Sequence, residues 1–167
     1  MDMFTQLLIE LQKLQGLECW GVVAGEGTGS HVTLDFGRRI ERARPLKNPT
    51  LPESLRHFKG EFGIFIQNCA WRLDTNNVVC TSKSSNDNEG VMVRGLHALI
   101  GQHVIIATAS LPAHDLTIEF SRTTRLRLFC DCYDQNEDGD NYSFHTPDQV
   151  FTANAGGLLT IDSKRKP

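Results

Sequence analysis

Two stretches of this chain repeat at a nearly constant separation, and that repetition constrains the fold more than any other feature. Leu7-Leu8-x-x-Leu11-x-x-Leu14-x-Gly16 returns as Met92-Val93-x-x-Leu96-x-x-Leu99-x-Gly101, an offset of 85. Val32-Thr33-Leu34-Asp35-Phe36 returns as Leu116-Thr117-Ile118-Glu119-Phe120 at 84, and Trp71-x-Leu73-x-Thr75 as Tyr142-x-Phe144-x-Thr146 at 71. Two copies exclude a solenoid, which needs at least about three repeats. The pattern predicts an α+β fold in which two pseudo-repeated helix-plus-antiparallel-hairpin units share one core. The expected organisation is a single domain over residues 1–167, with copies at 2–80 and 89–162 and a polar linker at 81–88.

The element types follow from periodicity. Asp2 is placed to cap a helix whose apolar residues at 4, 7, 8, 11 and 14 form one face, with Gly16 after its end. A second helix is expected from Asn88 to Gly101, and strands from Cys19 to Val23 and Val104 to Thr108. Strict alternation puts Val32, Leu34 and Phe36 inward, and likewise Leu116, Ile118 and Phe120, then Leu126 and Leu128. Leu7, Leu11, Leu14, Trp71, Leu73, Leu96 and Leu99 complete the expected core. Pro45 to Gly60, with three prolines, reads as an insertion forming a partner-contacting loop, with a short helical turn near Leu55.

Seventeen basic against twenty acidic residues give a net charge of −3, which carries no electrostatic footprint for nucleic acid or an anionic membrane. Lys164-Arg165-Lys166 reads as a solvated tail. No apolar run approaches the roughly 20 residues that span a bilayer, and the first helix is too polar for a secretory signal. Five cysteines in irregular spacing fit a cytoplasmic chain with reduced thiols that pack as small hydrophobes.

Several constellations invite chemistry. Asp134-x-Asn136-x-Asp138-Gly139-Asp140 matches the first seven places of a calcium loop, with Asp134, Asn136, Asp138 and Asp140 as ligands. Position twelve is His145 rather than a bidentate Glu, so an acidic turn is the competing reading. Cys130-x-Cys132 lacks the second ligand pair that zinc requires. Gly25 to Ser30 is glycine-rich but lacks the Lys-Ser/Thr ending of a phosphate loop. Asp35 and Glu119 are equivalent carboxylates, expected on the polar face, with Asp35 paired to Arg39 and Glu119 to Arg125 or Arg127. The histidines are dispersed and match no catalytic signature. No cofactor is expected.

Leu14-x-Gly16, Val32-Thr33-Leu34-Asp35-Phe36, Trp71-Arg72-Leu73, Leu99-Ile100-Gly101-Gln102-His103-Val104 and Asp115-Leu116-Thr117-Ile118-Glu119-Phe120 together resemble a family of small bacterial domains of unknown function. The resemblance spans roughly residues 7 to 162 and implies no catalytic residues. By analogy, small β-rich bacterial proteins of this kind are often immunity partners of secreted toxins. The expectation is therefore a non-enzymatic, cytoplasmic protein-binding domain, a toxin-neutralising immunity protein being its most specific form. A basic partner such as a toxin would meet the carboxylates Asp131, Asp134, Glu137, Asp138 and Asp140. The alternatives are a small-ligand or calcium-binding module using the 134–140 loop, and an enzyme whose Asp, His and Cys residues converge only in the fold.

Overall fold

The computed structural model describes residues 1–29, 31–132 and 139–164. Helix α1 (Met3–Gln12) is capped as its sequence requires, Asp2 Oδ1 accepting from the Thr5 N–H at 2.9 Å. Strands β1 (Cys19–Val23) and β2 (Val32–Glu41) lead to a short α2 (Glu53–His57). Strands β3 (Phe58–Ile66), β4 (Ala70–Asp74) and β5 (Val78–Thr81) then precede α3 (Val91–His97). The second half continues with β6 (Val104–Ser110), β7 (Asp115–Phe120), β8 (Arg125–Phe129), β9 (Asp140–His145), β10 (Gln149–Asn154) and β11 (Leu159–Ser163). With 45% strand against 16% helix, the fold is sheet-dominated rather than an even mixture. The second helix is shorter than expected, since residues 98–101 tighten into turns before Gly101 at φ +83°.

Two antiparallel sheets interleave the halves of the chain. The first, in the order β1-β2-β3-β9-β10-β11, takes three strands from each half. The second, β5-β4-β8-β7-β6, joins the later meander to the hairpin of the earlier half. At the crossover, residues that match at the sequence offset of 85 make reciprocal bonds. Gly16 N donates to Val104 O and Gly101 N to Cys19 O, both at 2.8 Å. Cys19 N donates to Gln102 O and Val104 N to Leu17 O, both at 2.9 Å. Each following hairpin carries a bulge at the matching place, Cys19/Gly21 in one and Val104/Ile106 in the other.

Every expected core residue is buried, none more than 3% exposed. Phe36 and Phe120 stack across the two sheets, ring centres 6.3 Å apart and planes 17° from parallel. Each such side chain contributes on the order of 1.5–3 kcal/mol through burial. Helix α1 closes one flank against β6 and β11, and α3 packs on β5. All five cysteines are buried. Among the described residues no helix is long and apolar enough to cross a membrane.

The insertion is shorter than its sequence implied, because residues 58–60 already pair with β2. The remaining segment straps the outer face of the first sheet. Arg42 N donates to His57 O at 2.7 Å and Leu46 N to Arg56 O at 2.9 Å, holding its two limbs together. From α2, buried Leu55 descends onto Gly21: a Cβ there would lie 2.9 Å from Leu55 Cδ2.

Candidate functional site

Of the acidic-loop residues, Asp134, Asn136, Glu137 and Asp138 lie outside the described residues. Asp131 and Asp140 are placed, and both serve the framework. Asp131 Oδ1 accepts from the Ala70 N–H at 2.8 Å, fixing the start of β4. The Asp140 carbonyl accepts from the N–H and the side-chain amide of Asn68, each at 3.1 Å. Buried Asn141 clamps the stems, its Oδ1 accepting from Cys132 N at 3.1 Å and its Nδ2 donating to Cys132 O at 3.2 Å.

The metal and phosphate readings gain no geometry. Among the described residues no group of three or more His, Cys, Asp or Glu is arranged to hold an ion. Burial pushes the Cys69 thiol up to about 12 and raises Cys130 as well, so these thiols are protonated at neutral pH. The glycine-rich turn leads into strand β2, which offers no helix N-terminus. Asp35 and Glu119 stand on the outer faces of different sheets and form no carboxylate pair.

What the fold does assemble is a cleft of about 360 Å³ on the outer face of the first sheet, beneath the 42–57 strap. Its floor is one cross-strand row. Gly21 pairs with Asp35, Asp35 with Gly63, and Gly63 with His145. Lacking a side chain, Gly63 leaves a notch flanked by a carboxylate and an imidazole two strand spacings apart, roughly 9–10 Å at the backbone. A Cβ at Gly63 would sit in ordinary van der Waals contact, 3.5 Å from Leu34 O, 3.7 Å from Asp35 Oδ1 and 4.0 Å from His145 Cβ, so the position is enclosed but sterically permitted. Val23, Leu46 and Phe65 give the cleft apolar walls; Arg42, Lys59 and Lys164 give it a cationic rim.

Asp35 departs from its expected place. It is 3% exposed and bonds to the Gly60 N–H through Oδ1 at 2.7 Å, whereas Oδ2 is buried with no partner. The 42–57 strap covers its face, and a bulge in β2 beyond Phe36, where Gly37 takes φ +72°, breaks the alternation that would have placed Arg39 beside it. Arg39 is thereby turned away, to sit 4.7 Å over the Trp20 ring. Burial raises the Asp35 pKa against the opposing pull of the Gly60 bond and then of Arg42 and Lys59. His145 is pushed down to about 4, chiefly by burial and then by Lys164 and Lys59, and is neutral at pH 7. Burial and Lys59 also lower Lys164, opposed by Asp148.

The second sheet shows what the same row looks like when filled. There Ile106 pairs with Glu119, Glu119 with Arg125, and Arg125 with Asp74. Arg125 grips Glu119 at 2.6 Å, as the sequence led one to expect, and Asp74 takes Arg72 at 2.9 Å and Arg127 at 3.5 Å. Where one sheet places an arginine, the other places Gly63. The cleft was not legible in the sequence because nothing local shows that residues 42–57 fold back over the row of Asp35, Gly63 and His145. The available signal was Gly63 itself, a glycine inside an apolar strand, which marks a close approach or a vacancy. Comparison with protein-family models, with curated proteins and with solved structures finds no match.

Proposed function

We propose that this chain is a non-enzymatic binding domain whose ligand site is the cleft over Gly63. The observation that carries this reading is the contrast between two equivalent rows, one closed by ion pairs and one left vacant beneath a strap. A concave site with apolar walls and a few convergent polar groups is the usual form of a small-ligand site, and its volume falls within the roughly 300–1,000 Å³ of such pockets. The test is a fragment screen by ligand-observed NMR on the wild type and on Gly63→Val, whose added methyls project into the notch. Fragments whose binding disappears in Gly63→Val, with an unchanged circular-dichroism spectrum, are expected. A screen in which every hit survives that substitution refutes the site.

The reciprocal hydrogen bonds, the matching bulges and the sequence offsets support descent from one duplicated unit with exchanged hairpins. A second functional reading is protein binding through the acidic loop, with toxin neutralisation in the cytoplasm of a bacterium as its most specific form. The Asn141 clamp favours it by holding Cys132, the last described residue before the segment that contains Glu137 and Asp138. Charge reversal at those two positions should slow association with a basic partner recovered by pull-down; unchanged kinetics would remove this reading.

A further inference from the structure

We infer that the cleft over Gly63 binds a small organic anion, its carboxylate or phosphate group held among Arg42, Lys59 and Lys164 and its apolar body laid against Leu46 and Phe65. The inference rests on the reading of that cleft as the ligand site and adds the chemistry of the ligand.

Charge is the first argument. A chain of net charge −3 gathers three cationic side chains around one cleft. Among the described residues, none of the three takes part in a salt bridge. Their one carboxylate neighbour on the cleft wall is Asp35, which is buried and already bonded to Gly60. Asp35 and Asp148 offset these three like charges only in part, and an anionic ligand relieves the remaining repulsion.

Second, two of the three cations, Arg42 and Lys164, are held in place. Arg42 Nε donates to Phe58 O at 3.0 Å, which orients the guanidinium while leaving its terminal nitrogens to point elsewhere. Lys164 is anchored through its backbone N–H to Asp148 O at 2.8 Å, and its Nζ donates to Thr146 O. Half-buried Arg42 and Lys164 therefore lose little freedom when an anion arrives. Charge-assisted bonds from such donors are the stronger kind, and a guanidinium fork suits carboxylate or phosphate geometry.

Shape supplies the third argument. A space of about 360 Å³ admits a molecule of on the order of ten to twenty non-hydrogen atoms rather than a macromolecular surface. Leu46 and Phe65 flank it, so a bare inorganic ion would leave their surface unused. Neutral His145 adds one hydrogen-bond donor and one acceptor at the far wall.

The experiment is titration calorimetry with five probes: phenyl phosphate, benzoate, benzyl alcohol, benzylamine and inorganic phosphate. Phenyl phosphate or benzoate should bind at least tenfold more tightly than benzyl alcohol or benzylamine, and more tightly than inorganic phosphate. The double variant Lys59→Gln, Lys164→Gln should weaken the anion at least tenfold without altering the circular-dichroism spectrum. Raising salt should weaken the anion in the wild type more than in that variant. If benzyl alcohol or benzylamine binds as well as the anions and loses binding in Gly63→Val, the cleft remains a ligand site but the anion assignment falls. If inorganic phosphate matches phenyl phosphate, the apolar body is not recognised and the organic part of the assignment falls. Failure of both organic anions to bind at millimolar concentration overturns the inference; the fragment screen with Gly63→Val then decides separately whether the cleft takes any ligand.

Discussion

Replacing Asp35 by Asn should stabilise this protein at neutral pH. The side chain is 3% exposed, and Oδ1 accepts from Gly60 N–H at 2.7 Å, a bond the Asn carbonyl can keep. Oδ2 is enclosed with no partner. A buried polar atom without a partner costs about 1–3 kcal/mol, and more when it is charged. Burial raises the folded-state pKa above the ordinary value of 3.8, so the folded chain holds this proton more tightly than the unfolded one. The stability contributed by that proton is complete below about pH 4 and is lost as pH rises through the folded pKa. Asp35→Asn abolishes the loss but gives up the attraction of Arg42 and Lys59, so the expected gain is about 1–2 kcal/mol at pH 7 and close to nothing at pH 3.5.

Urea unfolding at several pH values reads this directly. With a slope of about 1–3 kcal/mol per molar, the midpoint should rise by roughly 0.5–1 M at pH 7. The control is Glu119→Gln, the matching position in the second sheet, where the carboxylate is 38% exposed and paired to Arg125 at 2.6 Å. An exposed pair of that kind contributes at most about 1 kcal/mol, so this variant should lose a little stability and not gain any. Loss of stability in Asp35→Asn at pH 7 would refute the reasoning, since it would mean that the Arg42 and Lys59 cations outweigh desolvation.

Two further outcomes test other parts of the structure. His145 should stay neutral until about pH 4 in an NMR titration of its ring protons, and the stability it contributes should be complete above pH 6.5 and fall away as pH drops from 6.5 toward 4; an ordinary titration near 6.5 would show that the ring is not enclosed. A double-mutant cycle of Phe36→Leu and Phe120→Leu should give a coupling of about 0.5–1.5 kcal/mol, as stacked rings do, and additive losses would show that the two sheets do not meet there.

Much of the framework was legible because it depends on local pattern. The period-two alternation of 32–36 and 116–120 and the helical spacing of 7–14 and 92–99 are set by which face meets the core. The core-facing residues of these segments, Val32, Leu34 and Phe36, Leu116, Ile118 and Phe120, Leu7, Leu11 and Leu14, and Met92, Leu96 and Leu99, are all buried. The pairing of Glu119 with Arg125 was legible too, since the two lie across one tight hairpin. The distribution of the hairpins between the two sheets was not, because nothing in the local sequence says whether β4 follows β3 within its sheet or pairs with β8. Asp35 was misplaced for a different reason. Alternation assigned it to a solvated face, and only the strap, far along the chain, makes that face an interior. The bulge at Gly37 then removed Arg39, the partner that alternation supplied.

The strap and the glycines make sense only together. On the second sheet the corresponding row carries Glu119, Arg125 and Asp74, which are joined to neighbouring side chains by ion pairs. On the first sheet the 42–57 segment lies across the corresponding row, so bulky side chains there would collide with it. At Gly21 the collision is explicit, since a Cβ would approach Leu55 and Asp35 at 2.9 Å. A glycine there is accounted for by packing alone. Gly63 is not: its Cβ position is sterically permitted, and filling it would bury apolar surface at no steric cost. A strand interior also disfavours glycine, which fixes more backbone entropy than any other residue. Packing therefore explains the first vacancy and argues against the second. What remains to favour Gly63 is the space it leaves between Asp35 and His145, which is why the cleft rather than the acidic loop is where a ligand should be sought first.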